Sequence, residues 1–459
     1  MYESDTIAAI SSGLTSSGIG IVRMSGPQAV EIADKVYRSV SGRKKLDDVP
    51  SYTANYGYIY DGEELIDEVL VLVMRAPHTY TREDVVEIDC HGGVVVMKTI
   101  LDLLLRSGAR PAEPGEFTKR AFLNGRIDMS QAEAVIDVIG AKNKMALSCS
   151  EKQLRGSIRD KINSLRHDIL GVVASIEALL DDPEHFDNGN LTETITPQVD
   201  GFIEELEKLL ASSENGRLIT EGIRTVIVGR PNVGKSSVMN RLLGENRAIV
   251  TDIPGTTRDT LEETMSLNGI LLKIIDTAGI RDTDDTIEKI GVDRARRYAE
   301  DAELVLFVAD SSRQLEKDDL EILDLVKDKK VIVLLNKSDL EEKTGAQMIR
   351  QVTDAPIVSI SAKYGSGMDE LAKIVKDMFF SGDVLYNDEI VITNARQKAA
   401  IRDALESMKM VRKSIDDKMP EDFLSIDLTA AYQQLGLVTG ESVQDDVADR
   451  IFSDFCVGK

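Results

Sequence analysis

The stretch Thr225-Val-Ile-Val-Gly-Arg-Pro-Asn-Val-Gly-Lys-Ser-Ser237 is a β-branched run followed by Gly-x-x-x-x-Gly-Lys-Ser, and Val238 to Leu243 continue it in a helical pattern. A buried strand, a glycine turn and a helix N-terminus together make an anion cradle. Gly229 and Gly234 permit backbone angles that a Cβ forbids, so successive N–H groups can turn toward phosphate oxygens. Asn232, Val233, Gly234, Lys235, Ser236 and Ser237 are therefore candidate nucleotide-binding residues. Lys235 is placed to bridge the β- and γ-phosphates, and the Ser236 hydroxyl to ligate Mg²⁺.

Further along, Leu271-Leu-Lys-Ile-Ile-Asp276 reads as a strand that ends in Asp276-Thr-Ala-Gly279. An Asp at a strand's C-terminal end can hold Mg²⁺ through water, and the N–H of Gly279 can meet a γ-phosphate. Between these pieces, Gly255-Thr-Thr-Arg-Asp259 offers two hydroxyls, with Thr257 the expected second Mg²⁺ ligand. Val331-Ile-Val-Leu-Leu-Asn-Lys-Ser-Asp339 follows. Asn336 and Lys337 end this strand, and Asp339 can accept from the N1–H and N2–H₂ of guanine, a donor pair that adenine lacks. Ser361-Ala-Lys363 can close the base pocket with backbone N–H groups. These elements in this order read as a GTP site on a Ras-like P-loop domain.

Ile280 follows Asp276, Thr277, Ala278 and Gly279, where Ras-like proteins carry the Gln that orients the attacking water. An aliphatic side chain cannot do that. Asp282, Asp284, Asp285 and Glu288 could each order a water, and a solvated acidic loop accounts for most of them equally well. A bound monovalent cation, held by Asn232 and carbonyls of residues 251–256, could supply positive charge in place of an arginine finger.

These motifs occur together with an N-terminal Gly18-Ile-Gly-Ile-Val-Arg-Met-Ser-Gly26 and a C-terminal Phe455-Cys-Val-Gly-Lys459. In that combination the whole chain resembles the MnmE (TrmE/ThdF) family of tRNA modification GTPases. The resemblance implies a K⁺-dependent GTPase working as a homodimer, with Asn232, Thr251, Ile253 and Thr256 around K⁺, Ser236 and Thr257 on Mg²⁺, and Glu288 as the catalytic glutamate beside Lys235. It also implies a tetrahydrofolate site at Arg23, Glu87, Arg126 and Lys459. Arg126 stands where other members carry Lys, which keeps the charge but alters hydrogen-bond geometry. With the FAD-dependent partner MnmG, in a complex of heterotetramer type, such a protein modifies C5 of the wobble uridine of certain tRNAs with an aminomethyl or carboxymethylaminomethyl group. The one-carbon donor would be 5,10-methylene- or 5-formyl-tetrahydrofolate, and GTP hydrolysis would drive domain rearrangement. Cys456 is a candidate nucleophile if Lys459 stabilises its thiolate. The competing function is a regulatory GTPase that binds ribosomal RNA in ribosome assembly.

At 459 residues the chain is too long for one core. It shows no run of 18 apolar residues and no basic-then-apolar leader, so a cytoplasmic protein without a membrane span is expected. Cys90, Cys149 and Cys456 have neither disulfide nor metal-ligand spacing. The net charge of −24 argues against a polyanionic partner. Two basic runs argue the other way: Lys142, Lys144, Lys152, Arg155, Arg159, Lys161 and Arg166, and then Arg396, Lys398, Arg402, Lys409, Arg412 and Lys413. A solvated helix face is the commoner meaning of such runs, and a surface for tRNA phosphates the alternative.

The expected fold is multidomain, α/β plus α. Residues 1–118 form an α+β folate-binding-like and dimerisation domain, with strands at Thr6–Ile10, Ile19–Met24, Asn55–Tyr60, Val69–Met74 and Val85–Cys90 and helices at Gln28–Tyr37 and Val94–Arg106. Residues 119–216 and 382–459 form one all-α domain from two chain segments, with the G domain of 217–381 inserted between them. The pattern predicts His91-Gly-Gly93 as a tight turn, Ser130-Gln-Ala-Glu133 as a capping box and a long helix from Lys142 to Leu180. It also predicts a helix over Pro197–Ser212 that Asn215-Gly216 breaks, and helices near Ala395–Asp416, Phe423–Leu435 and Ser442–Phe452. A frayed end is the usual fate of a C-terminal tail, whereas the resemblance implies that this one reaches toward the folate.

Overall fold

The computed structural model describes residues 5–42, 45–181, 191–245, 263–275, 301–380, 390–441, 450–453 and 455–458. They gather into two compact units, one of residues 1–136, 154–168 and 432–459, the other of 137–153 and 169–431.

The first unit opens with β1 (Ile7–Ile10), β2 (Ser17–Ser25), α1 (Ala29–Val36), β3 (Tyr37–Ser39), β4 (Thr53–Asp61), β5 (Glu64–Met74), β6 (Val85–Gly92), α2 (Val94–Arg106) and β7 (Arg110–Pro111). The strands make one sheet in the order β3-β4-β5-β6-β2-β1-β7, antiparallel except where β7 joins β1. Alternation divides its faces. Val69, Val71, Val73, Val86, Ile88, Val22 and Met24 share a core with Ala29, Ala33, Met97, Ile100 and Leu104 of α1 and α2. Arg23 and Glu87 occupy the other face, and the β2–β6 register sets them directly opposite each other. On that face α3 (Glu116–Leu123) lays Phe117 against Ile7 and Ala9.

Two local expectations fail here. His91 and Gly92 belong to β6, so the strand runs on to Gly93, the residue before α2, and no turn intervenes. Asp67 holds His91 in line, accepting from its backbone N–H at 2.8 Å and pairing with its ring Nδ1 at 2.7 Å. The capping box of α4 (Met129–Gly140) lies two residues earlier than predicted. Asp128 Oδ1 accepts from Gln131 N (2.9 Å), and Gln131 Oε1 accepts from Asp128 N (3.1 Å). Ser130 serves instead as a donor to Asp128 Oδ1 at 2.6 Å. A carboxylate caps at least as well as a hydroxyl, and Gln fills the third position as Glu would.

The predicted long helix is two helices, α5 (Lys144–Leu154) and α6 (Ser157–Asp181). Gly156 separates them with φ +97°, a backbone state that a helix cannot absorb. In contrast α7 (Leu191–Thr220) runs unbroken through Pro197 and through Asn215-Gly216. The second unit's sheet is β13-β12-β11-β8-β10-β9, built from β8 (Ile223–Val228), β9 (Glu263–Leu267), β10 (Ile270–Ile274), β11 (Leu304–Asp310), β12 (Lys330–Asn336) and β13 (Ile357–Ser359). All neighbours are parallel except β9. The central strands β8, β11 and β12 are buried on both faces, so they read as nearly continuous apolar runs. Among the described residues the helices of this region are α8 (Lys235–Glu245), α9 (Lys317–Val326), α10 (Ala346–Ile349) and α11 (Met368–Phe379).

Two more helices follow, α12 (Ala395–Asp416) and α13 (Glu421–Thr439), the former as predicted and the latter longer at both ends. The predicted helix over Ser442–Phe452 lies mostly outside the described residues. Alpha-helical spacing of Ala400, Ile401, Ala404, Leu405, Met408, Val411 and Ile415 gives α12 its buried stripe. Its cations pair with acids spaced seven apart on α7: Lys398 with Glu214, Lys409 with Glu207, and Arg412 with Asp200, at 2.7–2.8 Å. Much of the second basic run is thus a helix-pairing ladder, not a bare cationic surface.

Candidate functional site

In an open parallel sheet, ligands bind beyond the carboxyl ends of the strands. Residues 229–237, 310, 336–339 and 361–363 all lie at or just beyond the carboxyl ends of β8, β11, β12 and β13. The turn after β8 shows why its residues are what they are. Gly229 (φ +147°), Asn232 (φ +62°) and Gly234 (φ +97°) all take left-handed backbone angles. A Cβ at 229 would overlap the carbonyl oxygen of Val308, and one at 234 the amide of Asn336. The loop can be this close to its neighbours only because those two residues are glycine. Lys235 opens α8 and donates from Nζ to the carbonyls of Gly229 and Arg230, both at 2.7 Å. Burial depresses its pKa to about 8.

The base-binding segment is locked to this loop. Asn336 Nδ2 donates to Val233 O (2.9 Å), and Asn336 Oδ1 accepts from Ala362 N (3.1 Å). One buried amide therefore ties the phosphate loop to both guanine-recognition segments. Lys337 reaches Asn232 O at 3.1 Å and Asp310 Oδ2 at 2.6 Å. Ser361 Oγ donates to Asp339 Oδ1 at 2.6 Å, which fixes the rotamer of the carboxylate. That oxygen keeps a second lone pair for a base N–H. Lys363 lies with Nζ 4.9 Å from the ring centre of Tyr364.

Asp310 escaped the sequence reading. It ends β11 in register with Asn336. Burial pushes its carboxyl upward, but Lys337 and the hydroxyl and N–H of Ser312 outweigh that and hold it below its usual range. The signal was available: an Asp closing the apolar run Leu304–Ala309 has the same form as Asn336 closing β12.

Ser236 and Ser237 lie exposed in the first turn of α8, where a Mg²⁺ ligand belongs. Thr251, Ile253, Thr256, Thr257, Asp276, Thr277, Ala278, Gly279, the acidic residues Asp282 to Glu288 and Lys459 lie outside the described residues. Among the described residues no cluster of His, Cys, Asp or Glu could hold a metal ion. No helix among them is long and apolar enough to cross a membrane.

In the first unit Arg23 Nε donates to Glu87 Oε1 at 2.7 Å, each side chain about one-fifth exposed (19%). Arg23 Nη1 also donates to Gly458 O (3.2 Å), as does Ser11 Oγ (3.1 Å). The C-terminal tail is therefore docked beside Arg23 and does not fray. Pro114 and Val457 form an antiparallel bridge, Gly115 N donates to Cys456 O (3.3 Å), and Phe455 is buried against Phe452. Cys456 itself is exposed between these anchors. Arg126 is exposed and lies over the Tyr80 ring, 4.7 Å from its centre. Tyr80 in turn packs against the cluster of Ile7, Ala9 and Phe117, and Arg23 lies over the Phe117 ring at 5.8 Å. A guanidinium fork beside a carboxylate sets a donor for an anion next to an acceptor for N–H groups.

Residues 6–126 match the family described as the GTP-binding protein TrmE N-terminus, and residues 129–456 match the MnmE helical domain. The tRNA modification GTPase MnmE of Lachnoclostridium phytofermentans is 54% identical over 100% of both chains. That of Thermoanaerobacter pseudethanolicus is 48% identical over 99% of each. Among solved structures, the G domain of the T. maritima FeoB iron transporter is 29% identical over 34% of this chain and 97% of its own, with a TM-score of 0.25. The chain belongs to the MnmE family of tRNA modification GTPases.

Proposed function

We propose that the protein binds GTP with Mg²⁺ in the loop after β8 and hydrolyses it in the service of tRNA modification. The observation that carries this reading is the buried Asn336 amide, which joins the phosphate loop at Val233 to the base-recognition segment at Ala362. Lys235 leaves its two carbonyl partners to hold the β- and γ-phosphates. Ser236 with Thr257 holds Mg²⁺, which neutralises charge on the phosphates when bound. Asp339, oriented by Ser361, selects guanine. Asn232, with Thr251, Ile253 and Thr256, forms a K⁺ site, and Glu288 orders the attacking water that Ile280 cannot.

The finer reading concerns the first unit and the partners. Arg23 and Glu87, with Arg126 and Lys459, bind a reduced folate, which supplies a one-carbon unit when bound. Arg23 orients a carboxylate with its fork, and Glu87 accepts N–H groups of the pterin edge. Cys456 is held at the same site as a candidate nucleophile. The protein acts in the cytoplasm as a homodimer, with domains at about 1–118, 119–216 with 382–459, and 217–381. With the flavoprotein MnmG it modifies C5 of the wobble uridine. Nucleoside analysis of tRNA from a strain lacking this protein tests the reading: C5-modified wobble uridine should disappear. Unchanged modification would overturn it and favour a GTPase acting on ribosomal RNA. In the purified protein, 5-formyltetrahydrofolate should bind, and Arg23→Ala should weaken it about tenfold or more by removing a charge-assisted pair.

A further inference from the structure

The described residues that flank the G domain, 221–222 before it and 390–394 after it, are held at several points. On the way in, only Glu221 and Gly222 separate α7 from β8. Glu303, just before β11, clasps both sides of that junction. Its carboxylate accepts from Arg217 Nη2 (2.5 Å) and from Arg224 N (3.0 Å), while its own N–H donates to Arg224 O (2.8 Å). On the way out, residues 390–394 run against the same helix. Ile392 N donates to Ser212 Oγ (3.3 Å), and a Cβ at Gly216 would overlap Ile392 O. The glycine that looked like a helix breaker is instead a close-approach point.

A third element ties these together. Gln153 of α5 is 2% exposed, and its Nε2 donates to Val391 O (2.8 Å) and Thr393 Oγ1 (3.1 Å). Thr393 Oγ1 donates to Asp137 Oδ2 (3.2 Å), and Asn143 Nδ2 donates to Ile219 O (3.0 Å). Ala146 of α5, Leu218 and Ile219 of α7, and Val391 share one apolar core with Val233 of the phosphate loop, Val238 of α8, and Leu272 and Ile274 of β10. A buried amide is costly unless it is bonded, so Gln153 specifies one arrangement where an apolar contact would tolerate many. A close-packed joint of this kind shifts between discrete arrangements and does not yield gradually.

We propose that Gln153, Gly216 and Glu303 are positioning residues that transmit the nucleotide state of the G domain to α5 and α7. The inference rests on the reading that GTP turnover serves tRNA modification, but its direct test does not. Amide hydrogen exchange over residues 141–154 and 205–220 is compared in the full-length protein with GDP and with a non-hydrolysable GTP analogue. The wild type should show exchange in both segments that depends on the nucleotide. Gln153→Ala and Glu303→Gln should abolish that difference, keep GTP turnover within about twofold, and lower tRNA modification about tenfold, within the range of a coupling energy between sites. Gln153→Met keeps the volume and removes the donor, and carries the same test should the alanine variant fail to fold. Exchange indifferent to nucleotide in the wild type, a full nucleotide response in the variants, or turnover falling in step with modification would each overturn the proposal. If the protein proves not to modify tRNA at all, the function assigned above falls, while the exchange comparison still decides the coupling.

Discussion

At the level of single residues, the nucleotide loop stores a charge that waits for its ligand. Lys235, held near pKa 8 by burial, is partly neutral in mildly alkaline solution when it faces only carbonyls. Phosphate oxygens favour the ammonium and raise that pKa, so binding of GDP near pH 8 should take up protons, and the uptake should shrink below about pH 7. Calorimetry in buffers of different ionisation enthalpy reads it directly; heats that do not depend on the buffer at pH 8 would contradict it. Asp339 makes a second prediction. Asn in its place offers an N–H₂ to the N2–H₂ of guanine, donor against donor, so Asp339→Asn should raise the KM for GTP about 100-fold or more. A base with oxygen at C2, such as xanthine, would accept from that amide, and XTP should become the better substrate. If Glu288 orders the attacking water as proposed, Glu288→Ala should abolish turnover and leave GTP affinity nearly unchanged, because such a role belongs to the transition state alone. A parallel loss of binding would make the residue structural.

Among the elements, legibility followed the locality of the cause. The phosphate loop and the strands around it could be read because a strand, a turn and a helix start are specified within about a dozen residues. Glu87 facing away from Val86 and Ile88 followed from alternation alone. The helices were harder, and two glycines show why. Gly156 ends a helix and Gly216 does not, although both interrupt a helical pattern in the sequence. The difference lies in what approaches them, Ile392 in the second case, and that residue is remote in the chain. The basic run of α12 had the same ambiguity, resolved only by acids on α7 far upstream. Those pairs are half-exposed, so each contributes little. Lys409→Ala with Glu207→Ala should lower stability by less than about 1 kcal/mol. Asp128→Ala, which removes the cap of α4, should cost about 1 kcal/mol or more. Chemical denaturation of the two variants gives the order, and an α7–α12 pair costlier than the cap would show the ladder to be more than a surface feature.

For the molecule as a whole, the division of the apolar cores sets an expectation about cooperativity. The clusters built on the N-terminal sheet, on α3 and on Phe452 with Phe455 lie wholly in the first unit. Those on the two faces of the G-domain sheet lie wholly in the second, and the larger takes in parts of α5 and α7. Two units with separate cores should unfold in separable steps, and a ligand stabilises only the unit that binds it. The phosphate loop and the base-recognition segments belong to the second unit, whereas Arg23, Glu87 and the docked tail belong to the first. At a hundredfold excess over its Kd, GDP should therefore stabilise one transition by about 2.7 kcal/mol and leave the other in place. A reduced folate should do the reverse, moving only the transition that GDP ignores. Differential scanning calorimetry with each ligand alone and with both makes the comparison. Independent shifts would mean that the two proposed ligands stabilise separate cores, so that any coupling between them cannot come from a shared core. A single transition raised by either ligand would mean that the chain answers as one body, and coupling between its two chemistries would then need no special residue.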